Sequence, residues 1–424
     1  MARHRATSTW PQQHLIRSLV LVAIATLQIS ACGASSGSPI APIVARLGAP
    51  LHCRADLCYS PQQFRVAYGI ERLLDSGIDG SGETVTVVAP VPALNAGPTD
   101  IRQDLASFDR TFRLPAARID IVTSLGGSAS PWLATGEEAG DLEHVHAVAP
   151  GATLRVVLIP SSALQSAANG TADMLAALRV AVSGTDVASI SWSLGEHYFT
   201  KAQVAEMHSI LLGAEARHVT VIASSGDDGW FPTPRGWGGQ VKEVSLPASD
   251  PLVLSVGGTI LTANPKTGAY ISETAWPGSG GGFSHLYGRP AYQDGVAGIS
   301  AARGVPDVAG DAAEIGGMAL VFSKGDIASL DSPPGTSDSA PFWGGIVALA
   351  DQYAHRDLGL INPAIYRIAS SSSAYGAFHD ITTDIHGTDG YPATLGWDPI
   401  TGWGTPNVQE LIPKLATFAN PGKT

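Results

Sequence analysis

Residues 335–350 read Gly335-Thr336-Ser337-Asp338-Ser339-Ala340-Pro341-Phe342-Trp343-Gly344-Gly345-Ile346-Val347-Ala348-Leu349-Ala350. A short Gly-led turn gives way to a run that is apolar on nearly every side, the pattern of a buried helix. Pro341 suits an early helical turn. Ser337 therefore stands at the start of that helix, where the positive end of the helix dipole favours an alkoxide or an oxyanion. The plain alternative is that Thr336 or Ser337 simply caps the helix, the usual fate of Ser and Thr at such a place. For Ser337 to be a nucleophile, the rest of the chain must supply a base, an oxyanion partner and a cleft.

Outward from this stretch the sequence alternates strand and helix. Apolar runs at 83–89, 119–122, 154–159, 186–191, 219–223 and 252–256 read as strands. Helix patterns over 100–112, 163–183 and 201–216 separate them, and Ser60-Pro61 opens a further helix as cap and first residue. This alternation predicts an α/β fold with a mainly parallel sheet and helices on both faces. No repeat or composition shift divides residues 60–415, so one domain is expected over 58–420. The 424 residues are enough for such a core. A formal net charge of -12 excludes an ordinary nucleic-acid binder, which would carry a basic face. It suits a soluble protein exposed to acid.

The amino-terminal residues 1–31 have the make-up of an export signal: Arg3, Arg5 and Arg17, then the apolar stretch Leu19–Leu27, then small residues. The apolar stretch is well short of the ~20 residues that span a bilayer. Ile29-Ser30-Ala31-Cys32 also matches a lipobox, so Cys32 is expected to carry a lipid anchor; ordinary cleavage after Ala31 is the alternative. Either way the protein is placed outside the cell or on the envelope. Residues 32–57 read as a tether, Ala/Ser/Pro/Gly-rich to about Leu51. In an exported chain, Cys53 and Cys58 are read as a small disulfide loop, with a metal fragment as the lesser alternative.

Two further stretches carry chemistry. In Glu137-Glu138-Ala139-Gly140-Asp141 a helical turn would set Glu137 and Asp141 one above the other. Two close carboxylates share protons, so one can act as a base while the other supports it. A solvated acidic helix face is the simpler alternative. Asp227, in Ser224-Ser225-Gly226-Asp227-Asp228-Gly229, follows a strand end, where parallel sheets gather active-site groups. It reads equally as a turn aspartate. The loop Gly278–Ser284 either makes tight turns or offers its amides to an extended peptide.

Taken together these stretches resemble the sedolisin family, serine-carboxyl peptidases with a subtilisin-like fold. The resemblance runs from about Tyr59 to Asn407. Its markers are Glu137-x-x-x-Asp141 ahead of Ala149-Pro150-Gly151-Ala152, then Ser224-Ser225-Gly226-Asp227, then Gly335-Thr336-Ser337-x-Ser339-x-Pro341. Supporting it are Val256-Gly257-Gly258-Thr259, Arg303-Gly304-Val305-Pro306-Asp307 and Gly396-Trp397-Asp398-Pro399. The resemblance implies a three-layer subtilisin-like fold and an endopeptidase acting in acid on proteins or peptides. It implies Ser337 as nucleophile, Glu137 as general base, Asp141 as the group that tunes Glu137, and Asp227 as oxyanion donor. It also implies one structural Ca2+, held by the carboxylates of Asp380 and Asp398 and the carbonyls of Ile381, Thr394 and Gly396. A monomer is expected.

The chain departs from the family in three places. Only a short tether stands where sedolisins usually carry a long prodomain, Asp338 follows the nucleophile where a small apolar residue is common, and Thr394 replaces a frequent glycine. Two rivals remain on the sequence alone: an inactive peptidase-like surface binding module, and a Ser-His-Asp subtilisin. The second would need His-Gly-Thr-His ahead of Ala-Pro, and this chain has the acidic stretch there. His144 and His146 are expected to pack beside the helix. An α/β-hydrolase elbow, Gly-x-Ser-x-Gly, is absent around Ser337.

Overall fold

Along the strand Thr153–Ile159, Leu154, Val156 and Leu158 enter one core while Val157 and Ile159 enter another. Successive strand residues point to opposite faces, so both faces of this sheet are covered. The computed structural model describes residues 43–46, 58–90, 99–123, 133–134, 136–159, 167–231, 241–324, 327–331, 334–371, 376–384 and 390–419. Its central sheet has strands β1 (Thr84–Pro90), β2 (Arg118–Thr123), β3 (Thr153–Ile159), β4 (Val187–Ile190), β5 (Thr220–Ser224), β6 (Leu254–Ala263), β7 (Tyr270–Ala275) and β8 (Val308–Asp311). Their order is β7-β6-β5-β4-β1-β3-β2, with β8 alongside β6. Every pairing is parallel except β6 with β7.

Beside the short helix Glu71–Asp75, the helices among the described residues are α1 (Pro61–Ala67), α2 (Ile101–Phe112), α3 (Gly136–Val148), α4 (Ala167–Ala181), α5 (Lys201–Glu215), α6 (Thr336–Ala354), α7 (Asn362–Ala369) and α8 (Val408–Phe418). Residues of α4 and α5 share one core with Val88, Val157, Ile190 and Val221; those of α1, α2, α3, α6, α7 and α8 share the other with Val85, Val87, Leu154 and Ile222. Local chemistry starts several of these helices where the sequence predicted. Ser60 and Gln63 form a reciprocal capping box on α1, and the Asp100 carboxylate accepts from the first amides of α2.

Two expectations are corrected. Within the supposed tether, Ile43–Arg46 is a strand that pairs antiparallel with Ile327–Asp331. That four-residue segment therefore satisfies its backbone in a sheet, which a freely solvated linker would not. Neither Thr336 nor Ser337 caps α6: the cap is Gly335, which has no side chain to bond the helix amides. Cys58 is disulfide-bonded; Cys32 and Cys53, with the export-signal stretch, lie outside the described residues. No helix among the described residues is long and apolar enough to cross a membrane.

Where α3 lies against α6, a Cβ on Gly345 would stand 2.6 Å from Val148 Cβ; where α3 meets the strand Leu320–Lys324, one on Gly140 would stand 3.0 Å from Leu320 Cδ1. Both glycines permit a close approach that any larger residue would oppose.

Candidate active site

Three segments meet at the carboxyl ends of the parallel strands: the first turns of α3, the loop after β5, and the start of α6. The structure brings Glu137, Asp141, Asp227 and Ser337 together there. The Ser337 hydroxyl stands beside the Glu137 carboxylate, close enough to favour its ionised form. Asp141, one turn further along α3 and 1% exposed, lies behind Glu137 and beside Ser191.

Ser191 was not singled out from the sequence. It stands just past β4, and its Oγ donates to the Ser337 carbonyl at 3.2 Å. The reason lies four residues on. Pro341 has no N–H, so the carbonyl of Ser337 lacks its intrahelical donor, and Ser191 supplies one. The same hydroxyl stands beside Asp141, where it works to lower that carboxyl. Burial, then the neighbouring Glu137 charge, pushes the Asp141 carboxyl well up and keeps the proton there.

On the other side of Ser337, Asp227 Oδ1 accepts from Thr336 N at 2.7 Å and Thr336 Oγ1 at 2.8 Å. The amide of Gly226 also donates to Thr336 Oγ1, at 3.1 Å. Thr336 thus ties the loop after β5 to the start of α6, a role its position next to Ser337 did not announce. Asp227 Oδ2 is left facing the cleft. A Cβ on Gly335 would fall 2.9 Å from Ser337 Oγ and 3.4 Å from Asp227 Oδ2. The missing side chain leaves a space bordered by both oxygens, where an oxyanion beside the nucleophile would have to sit.

The electrostatics are those of a crowded acidic cluster. Burial pushes Glu137 up to about 7; the adjacent Ser337 hydroxyl opposes this and the Asp227 charge adds to it. Burial also raises Asp227, against the two Thr336 bonds. Glu137 and Asp227 each keep an exposed edge on the open cleft, although protein encloses them elsewhere. Water at that edge tempers the desolvation. Asp338 is pushed well up by burial and by Glu137, Asp311 and Asp227, and its Oδ1 lies 3.7 Å from His144 Nδ1. That nitrogen sits 3.0 Å from the Gly140 carbonyl, an acceptor only, so it carries the proton. Burial holds His144 down to about 4, which keeps the ring neutral. His146 is buried on the same helix against Pro115 and Asp109.

The same directions set a stability trend. Glu143, Glu273, Asp311 and Asp351 join the site carboxylates in being raised, each chiefly by burial. Unfolding lets such groups ionise near ~4, so between there and neutrality the folded chain binds more protons than the unfolded one. Their stabilisation is complete below the unfolded values and is lost as pH rises through the folded ones. His144 and His379, both lowered by burial, run the other way. Carboxylates outnumber them, and thermal melts are expected to give a higher Tm at pH 5 than at pH 8.

Gly278–Ser284 resolves in favour of close packing at its centre. The amide of Gly280 donates to Gly226 O at 2.7 Å and that of Gly281 to Gly229 O at 3.3 Å. A Cβ on Gly281 would meet Pro399 O at 1.8 Å. These amides are spent inside the protein and brace the Asp227 loop.

The residues expected to hold calcium meet in one loop region. Asp380 Oδ2 accepts from Gly396 N, and Asp398 Oδ2 from Thr394 N, both at 2.9 Å. Both carboxylates brace the turn whose carbonyls were named with them, and Ile381 is buried beside Asp380. Burial pushes Asp398 up to about 6 in spite of its amide donors. An all-oxygen set drawn from loops, with one buried carboxylate, fits a Ca2+ ion.

Residues 129–404 match the model of the Subtilase family. The chain is 31% identical over 394 residues to kumamolisin of Bacillus sp. (strain MN-32), a match covering 86% of this chain and 65% of that protein. It is 29% identical over 335 residues to sedolisin of Pseudomonas sp. (strain 101), covering 74% and 55%. Human tripeptidyl-peptidase 1 is 30% identical over 265 residues, covering 55% and 43%. Among solved structures, Pseudomonas sedolisin, a serine-carboxyl proteinase complexed with two molecules of pseudo-iodotyrostatin, superposes with a TM-score of 0.71 at 25% identity. That match covers 86% of this chain and all of the other. The three-layer α/β architecture is accordingly the subtilisin-like fold that the sequence predicted. The chain spans less than two thirds of the length of these curated relatives.

Proposed function

This chain belongs to the subtilase family, and we propose that it is a serine-carboxyl endopeptidase cleaving proteins or peptides on the acid side of neutrality. The observation that carries the reading is the convergence of the Ser337 hydroxyl and the Glu137 carboxylate, with Asp141 behind them and Asp227 on the other side of Ser337. Ser337 Oγ attacks the scissile carbonyl as Glu137 takes its proton. The negative charge that forms on the carbonyl oxygen is met by the proton on Asp227. Glu137 then returns its proton to the leaving amine, and water repeats the sequence to free the acyl group.

This cycle needs one negative charge in the cluster, on Glu137, with Asp141 and Asp227 protonated. Part of what raises Glu137 is repulsion from an ionised Asp227. When Asp227 holds the proton it must donate, that repulsion vanishes and Glu137 ionises at lower pH. Activity therefore falls in acid as Glu137 protonates, and falls again on the alkaline side as Asp227 loses its proton. The test is cleavage of an acid-unfolded protein across pH 3 to 8. Internal cuts and a maximum below neutrality support the reading. A maximum at or above pH 8 overturns Glu137 as the base, and no cleavage by a folded chain favours the binding-module reading.

The same reading takes residues 1–31 as an export signal with a lipid on Cys32, and the protein as a monomer. It also places one structural Ca2+ on Asp380, Asp398 and the carbonyls of Ile381, Thr394 and Gly396. Removal of calcium by EGTA is expected to lower Tm by about 5 °C. Added CaCl2 restores the loss, and Asp398→Asn removes the response in a calorimetric scan.

A further inference from the structure

Glu196 and Glu243 are buried carboxylates, 2% and 6% exposed, on either side of a small ribbon in which Leu194–Gly195 pairs with Ser245–Leu246. His285, on the strand Gly282–Gly288, stands over them. One oxygen of each glutamate and one ring nitrogen of His285 all lie within 4.8 Å of one another. Among the described residues no lysine or arginine pairs with either carboxylate. The one recorded ion-pair partner is His197, whose Nδ1 donates to Glu243 Oε1. Glu196 is held by neutral donors, Ser249 Oγ, Ser284 Oγ and the His285 amide. These fix its direction without supplying a charge. Two neighbouring buried carboxylates need a cation or a proton between them.

We propose that Glu196, Glu243 and His285 form a zinc-class divalent metal site, distinct from the oxygen-only loop around Asp398. Two carboxylate oxygens and an imidazole nitrogen, with water in the fourth position, are a donor set for Zn2+ and a poor one for Ca2+. His197 takes the place of the outer partner: it hydrogen-bonds a ligating carboxylate and holds it in orientation. The three ligands come from segments that leave the active site. Glu196 follows Ser191 by five residues, the Glu243 amide donates to Trp230 O in the loop beyond Asp227, and His285 follows the glycine run that braces that loop. A bound ion ties these segments into one wall of the cleft.

The test uses the full chain, saturated with Ca2+ throughout so that the loop around Asp398 is constant. Apo protein is titrated with ZnCl2 at pH 7.5 by calorimetry, and the visible spectrum is read after adding Co2+ instead. One ion per chain is expected, with the d–d bands of a four-coordinate cobalt. His285→Ala and Glu243→Gln should each weaken zinc binding at least tenfold. His285 is exposed, so His285→Ala is expected to melt like the parent in metal-free buffer and decides the question if Glu243→Gln does not fold. Because imidazole must be deprotonated to bind, affinity should fall as pH is lowered toward 5. Absence of binding, or zinc affinity and cobalt bands unchanged by His285→Ala, overturns the site.

Discussion

Ser337→Ala is expected to lower kcat/KM on an unfolded protein by on the order of 10⁴-fold or more, with Tm within a degree or two of the parent. The hydroxyl stands beside Glu137 on an accessible edge of the site, and the fold does not depend on it. What anchors this end of α6 is Thr336 on Asp227, Ser339 Oγ on the carbonyls of Gly310 and Asp311, and Trp343 Nε1 on Ala309 O at 2.8 Å. Glu137→Gln should cost a similar factor, because an amide accepts the hydroxyl bond but cannot carry its proton away. Base and nucleophile act in one step, so the double variant should be no slower than either single one. Initial rates on one substrate, with melts as the control, check all three. A double variant slower by the product of the two effects would mean that Glu137 and Ser337 work independently, which the proposed relay forbids.

The parts of this site that were legible in the sequence are those whose cause is local. Alternating apolar runs predict a sheet covered on both faces, and the spacing of Glu137 and Asp141 places them one turn apart on α3. Ser60 and Asp100 mark helix starts because a cap acts on amides two or three residues away. What the sequence did not disclose is set by residues far apart in the chain. Ser191 matters because Pro341 frees a carbonyl 146 positions from it. Thr336 reads as a cap, yet its hydroxyl is taken up by Gly226 and Asp227 from another strand end. Gly335 has φ 169, extended backbone open to any residue, so conformation does not explain it. Its importance is the volume it leaves beside two oxygens, which only the assembled site defines. Likewise the sequence leaves the glycines at 280 and 281 open between tight turns and peptide-binding amides, and distant Gly226, Gly229 and Pro399 decide it by packing against them.

Asp227→Ala and Asp227→Asn should part company, and the difference isolates the oxyanion role. Alanine removes the donor and leaves the Thr336 amide and hydroxyl without their acceptor. Loss of one such donor typically costs about 10²–10³-fold in kcat, with KM much less affected. Asparagine is isosteric, and its placement is dictated: only its carbonyl oxygen can receive Thr336 N and Oγ1, so its NH2 must turn to the space beside Ser337 Oγ. That NH2 donates at every pH, whereas Asp227 donates only while protonated. Asp227→Asn is therefore expected to keep most of the parent kcat at the acid optimum and to move the alkaline limb upward; the acid limb should stay in place, because Asp227 is already uncharged there. If the alkaline limb instead reports Asp141 or Asp338, both raised by the same cluster, it stays in place in Asp227→Asn. Equal loss of kcat in both variants would remove Asp227 from the chemistry and leave it only the task of holding Thr336.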